Sequence, residues 1–142
     1  MILPVTLTAA GAAAILNLWL AMRVGKVRTS QKILIGDGGH EPLTARMRAH
    51  ANFAEYTPFV LILIGLIEAA VGTSIALWAV AAVYLVGRIA HGLGMDGTGP
   101  RGLRMIGTLV TFVTLLGLAV YAISIPYMVE RLPTTVDIAA LG

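Results

Sequence analysis

The chain contains no cysteine, which excludes a disulfide framework, a thiolate metal site and a cysteine nucleophile. Any thiol chemistry would have to use a thiol brought by a substrate. Charge is scarce as well: Asp, Glu, Lys and Arg make up 12% of the 142 residues, against about 25% in ordinary soluble domains. Hydrophobic residues reach 58% and the mean hydropathy is +0.88, so composition alone indicates a membrane domain. The net charge of +3 does not indicate nucleic acid, because nine of the ten Lys and Arg lie in two short segments between apolar runs. That distribution sets membrane topology.

The hydrophobic pattern predicts one all-α membrane domain over 1–142, a bundle of four spans at about 4–24, 45–71, 74–95 and 103–126. Each is close to the ~20 residues needed to cross ~30 Å of hydrocarbon. Polar connectors are expected at 25–44, which holds Gly36-Asp37-Gly38-Gly39, and at 96–102, with a tail over 127–142. Met1 leads straight into apolar residues, so the first span is expected to be retained rather than cleaved. Arg23, Lys26, Arg28, Lys32, Arg46 and Arg48 flank the first connector and Arg88, Arg101 and Arg104 the second, while Arg131 stands alone on the other side. The basic bias predicts cytosolic connectors and both termini outside.

Polar residues interrupt the spans in two stripes. Arg48, Asn52 and Glu55 recur at i, i+4 and i+7 on the second span, flanked by Arg46 and His50, and this spacing puts them on one helix face. A carboxylate within hydrocarbon costs roughly 3 kcal/mol on insertion scales unless it is partnered or hydrated, so Glu55 calls for a role. Tyr84, Arg88 and His91 repeat the spacing on the third span, and Arg104 opens the fourth. Together these groups predict a pocket at the cytosolic end that suits a small polar anion. Arginines hold carboxylates in two-point contacts, and a guanidinium beside a thiol stabilises its thiolate by about 1.4 kcal/mol for each pKa unit.

Plainer readings compete for the same residues. Arg48 and Arg104 could anchor helices at the interface, His50 and His91 could be packing histidines, and Glu55 could pair with Arg48 or Arg88. Asn17 is expected to make a helix-to-helix hydrogen bond. Pro58 is expected to kink the second span, and Glu68, near the far interface, to be solvated and without chemistry. No metal is expected, since two histidines and a glutamate at these spacings form no helical metal motif.

The segment Arg48-Ala-His-Ala-Asn-Phe-Ala-Glu-Tyr-Thr-Pro58 resembles the second-helix signature of the MAPEG proteins, membrane-associated proteins in eicosanoid and glutathione metabolism. Gly87-Arg-Ile-Ala-His91, with Arg104 thirteen residues on, resembles the third-to-fourth helix region of the prostaglandin E synthase branch. The resemblance implies a four-helix protomer in a homotrimer, with glutathione as co-substrate between subunits near the cytosolic face. It places Arg48, Asn52 and Glu55 on glutathione and makes Arg104 the arginine that stabilises the thiolate. Tyr56, His50, Arg88 and His91 become further contacts, and Arg28 competes with Arg23 and Lys26 for the role of a first-helix cation. Ala51 and Met95 depart from the pattern, standing where the prostaglandin E synthase branch carries arginine and tyrosine.

The connector over 36–39 is similar to that of small bacterial members, which implies a bacterial inner membrane. The implied activity is a glutathione transferase, with peroxidase activity as a variant, in which the thiolate attacks a lipophilic electrophile or hydroperoxide dissolved in membrane lipid. Two alternatives stay open: a non-catalytic lipid-binding protein of the same fold, and a small proton-coupled transporter using Glu55.

Overall fold

The computed structural model describes residues 2–97, 99–100 and 102–129. Four helices, α1 (Pro4–Gln31), α2 (Glu41–Val71), α3 (Ile75–Met95) and α4 (Gly102–Val129), run up, down, up and down, and all four are long and apolar enough to cross a membrane. Two helices outrun their apolar spans. The first continues to Gln31 and the second starts at Glu41, so the connector between them narrows to 32–40. Residues 130–142, with Arg131 and most of the expected tail, lie outside the described residues, as does Arg101.

The helix ends follow local chemistry. Pro4 stands in the first turn of α1, where its missing N–H costs nothing. Lys32 ends that helix in the left-handed region, at φ 57°, while the Ile33 N–H turns back to Arg28 O at 3.0 Å, closing the orphan carbonyls. His40 Nδ1 accepts the Leu43 N–H at 3.2 Å to cap α2, and Ser74 Oγ accepts the Leu77 N–H at 3.2 Å to cap α3. In the connector, Asp37 accepts from the Gly39 N–H and the Thr44 hydroxyl, and these bonds hold its carboxyl below the usual carboxylate range. The stability they give is present at neutral pH and is lost as acid protonates Asp37.

The core lies along the bundle axis, from Val5, Val60, Ile64 and Ile67 to Leu77, Tyr84 and Leu118, with a second cluster of Ala13, Leu16, Leu20 and Phe53 nearer the connectors. Outward faces carry Ile62, Leu66, Val86, Leu109 and Leu116, as expected for helices solvated by lipid or by another copy. α2 runs unbroken through Pro58.

Glu68 corrects an expectation. It is not solvated: only 1% of it is exposed, because it lies under the N-terminus of α1. Its carboxylate accepts from the N–H groups of Val5 (3.0 Å) and Thr6 (2.8 Å) and from the hydroxyls of Thr6 (2.6 Å) and Thr73 (2.8 Å). Helix N-termini leave N–H donors unpaired and carry positive partial charge. With Leu3 offering no side-chain cap, a carboxylate from another helix supplies it.

Helices α3 and α4 approach most closely through glycine. A Cβ on Gly107 would stand 2.5 Å from His91 Cβ and 2.6 Å from Gly87 O, and one on Gly94 would stand 2.3 Å from the Arg104 backbone N. Small residues of this kind let membrane helices touch along their backbones. Gly107→Ala is therefore expected to push α4 outward and to destabilise the protein by about 2 kcal/mol. Gly117→Ala, where nothing lies within 4 Å, should change the melting temperature in detergent little. Equal melting of the two variants would contradict this account.

Candidate functional site

Between α2, α3 and α4, at the connector end, lies a polar cleft of about 200 Å³ lined by Arg48, Ala51, Asn52, Glu55, His91, Met95, Arg104 and Thr108. Five residues singled out in the sequence thus share one cavity. Arg48, Asn52 and Glu55 reach it because they lie on one stripe of α2. His91 comes from α3, and the glycine contact at Gly94 brings the first turn of α4, with Arg104, alongside.

Arg88 sits behind the cleft rather than in it. It is 1% exposed, donates from Nη1 to Thr111 Oγ1 at 3.0 Å and from Nη2 to Asn52 Oδ1 at 2.8 Å, and lies 5.7 Å from the Phe53 ring centroid. Thr111 in turn donates to Gly107 O at 2.8 Å. This chain has a consequence for the ligand: because Arg88 occupies the oxygen of the Asn52 amide, the two N–H donors of that amide remain for the cleft. The cation makes no ion pair with a carboxylate among the described residues. His91, 4% exposed, contributes to the cleft while its Nδ1 stays buried without a partner among the described residues.

Other expected contacts stand elsewhere in a single chain. His50 Nε2 lies 2.9 Å from Asn17 Oδ1, which gives Asn17 the interhelical hydrogen bond expected of it and turns His50 toward α1. Arg28 folds onto the connector, donating to Ile33 O and Leu34 O at 3.4 Å each. Tyr56 packs edge-on to Phe112 of α4, with ring centroids 5.7 Å apart. Glu55 pairs with neither Arg48 nor Arg88 among the described residues and is exposed on the single chain, as are Arg48 and Arg104. Arg23, another of the first-helix cations, is tied to Asp96.

Sequence reasoning missed two sets of residues. Thr108 and Thr111 follow Arg104 at i+4 and i+7, the same spacing as the two recognised stripes, so that signal was available. The ion cluster of Asp96 with Arg23 and Arg46 had no such signal, since its members lie on three helices.

Two of the larger cavities are apolar, while a third, of about 450 Å³, shares Arg104 and Thr108 with the cleft and is otherwise lined by Met105, Leu109 and Phe112. A groove of about 500 Å³ between α3 and α4 is lined mainly by Leu77, Val80, Val83, Val113 and Leu118, and one of about 400 Å³ by Ile15, Leu16, Trp19, Leu85 and Ile89. Neither offers a charged group. The small polar cleft is the candidate site because its donors converge.

A comparison with protein families matched residues 6–124 to the family described as the MAPEG family. A comparison with curated proteins gave no match.

Proposed function

The chain belongs to the MAPEG family, and from that premise we propose that it is a membrane-bound, glutathione-dependent transferase that also reduces lipophilic hydroperoxides. The observation that carries this reading is the convergence of Arg48, Asn52, Glu55, His91 and Arg104 on one cleft. The charges fit. Arg48, Arg104 and, one layer behind, Arg88 bring three positive charges against the one negative charge of Glu55, a balance of +2. Glutathione as its thiolate has two carboxylates, one ammonium group and one sulfur anion, a balance of −2.

In this reading Arg48 and the Asn52 amide hold glutathione carboxylate and peptide oxygens, Glu55 receives the ammonium group, and Arg104 faces the sulfur. Loss of the thiol proton to water leaves a thiolate held by the Arg104 guanidinium. The sulfur then attacks an electrophilic carbon, forming the C–S bond as the leaving group departs with its electron pair. With a hydroperoxide the sulfur attacks the distal oxygen instead, giving an alcohol and a sulfenic acid, which a second glutathione converts to disulfide and water. A bilayer position serves this chemistry, because apolar substrates concentrate in lipid and meet the polar co-substrate at its boundary.

A cleft of about 200 Å³ is below the ~300–1,000 Å³ of complete ligand pockets, and its charged groups open outward. Both facts support a second copy of the chain as the missing wall, in keeping with a homotrimer. On that arrangement Arg28 or Lys26 of a neighbouring copy is a candidate for a first-helix contact. The test is a thiolate absorbance titration of the purified protein in detergent at neutral pH. A saturable signal on adding glutathione is expected, and absence of both this signal and calorimetric binding would overturn the proposal.

A further inference from the structure

The connector end of the bundle holds a second cluster of charge that the proposed chemistry does not use. Asp96 caps α3 with a side chain only 5% exposed, and its Oδ2 accepts from Arg23 Nη2 and lies 3.2 Å from Arg46 Nε. Arg23 stacks over Trp19 at 4.5 Å and donates from Nη1 to Gly92 O at 3.0 Å, while Arg46 Nη1 donates to Arg23 O at 3.1 Å. One carboxylate thereby joins α1, α2 and α3 in a closed ring of contacts.

The ring lies next to the cleft along the chain. Arg46 is two residues before Arg48, Gly92 follows His91, and Asp96 follows Met95. Two partly buried guanidiniums share this single carboxylate, so its charge decides whether they stay in place. Without it they repel one another and the ring that ties α1, α2 and α3 opens.

We propose that Asp96 is a positioning residue of the cleft: by holding Arg23 and Arg46 it sets the distance between the α2 wall (Arg48, Asn52) and the α3 wall (His91, Met95). This rests on the glutathione reading above. Removal of the charge alters ligand binding and spares the activating arginine, because Arg104 belongs to α4 and has no part in the ring.

The experiment measures the glutathione Kd by calorimetry and the thiolate amplitude at saturating glutathione, for the full-length protein in detergent. Asp96→Asn is expected to raise Kd roughly 10-fold and to leave the saturated thiolate amplitude unchanged. Glu68→Gln, which loosens the opposite end of the bundle, is expected to lower the melting temperature and leave Kd alone. A Kd for Asp96→Asn within twofold of the unaltered protein overturns the inference, and so does an equal rise in Glu68→Gln, which would make the effect general loosening. Should Asp96→Asn not fold, Arg46→Lys keeps the charge but loses the fork that reaches both Asp96 and Arg23 O. Its Kd is expected to rise about 3-fold, and an unchanged value overturns the inference. If the unaltered protein neither binds glutathione nor forms thiolate, it is the glutathione reading that has failed, and this inference falls with it.

Discussion

Arg104→Ala is expected to leave glutathione bound but protonated. A free thiol has a pKa of about 8.5, so only about 3% is thiolate at pH 7; a drop of about 2 units raises that to roughly 75% and corresponds to about 2.7 kcal/mol. Loss of the guanidinium should therefore reduce the thiolate signal at pH 7 roughly 25-fold. Arg48, Asn52 and Glu55 remain in the cleft, so the Kd should change far less. The sign with pH is definite: a depressed thiol pKa means the unaltered protein holds thiolate well below pH 8, whereas the variant should recover its signal only as pH rises through about 8.5. Arg104→Lys keeps the charge without the planar fork and should fall between the two. Absorbance titrations at several pH values check this, and a full thiolate signal at pH 7 in the alanine variant would refute the role given to Arg104.

The second large effect belongs to stability and lies at the other end of the bundle. Glu68→Leu removes the acceptor for two backbone N–H groups and two hydroxyls in a place that water does not reach. Unpaired buried donors cost about 1–3 kcal/mol each, although the hydroxyls can turn to other carbonyls. A net loss of about 3 kcal/mol follows, which for a chain of this size is a fall of roughly 10 °C in melting temperature. Thermal unfolding in detergent reads it directly. Because Glu68 is remote from the cleft, thiolate formation at saturating glutathione should survive below the transition. Unchanged melting would mean that the first turn of α1 does not depend on this carboxylate.

These two residues also show the different reach of sequence and structure. Both are charged groups in apolar helices, and insertion costs make each of them conspicuous. Arg104 was legible because it stands at a spacing that resembles a known pattern and opens a span. Glu68 was misjudged, because position along one helix says nothing about which neighbouring end lies above it. A carboxylate near a span's end is solvated or buried according to the tertiary partner alone. The same holds for Arg88 and His50. Each lies on or beside a recognised stripe, yet Arg88 is directed to Asn52 and Thr111 and His50 to Asn17.

The sequence by itself determined that this is a four-helix membrane domain of the MAPEG family, and it picked out the polar stripes whose residues meet at the cleft. Apolar run length against bilayer thickness and helical periodicity are local properties, readable within about twenty residues. The tertiary structure alone decided which stripes meet. It brought Arg48, Asn52, Glu55, His91 and Arg104 to one cleft, placed Arg88 behind Asn52, tied Arg23 and Arg46 to Asp96, and set Glu68 beneath α1. Those outcomes depend on helix rotation and close approach, fixed here by backbone contact at Gly94 and Gly107 and by hydrogen bonds between residues far apart in the chain. Such long-range pairings leave no periodic trace along any single helix, which is why only the packed bundle reveals them.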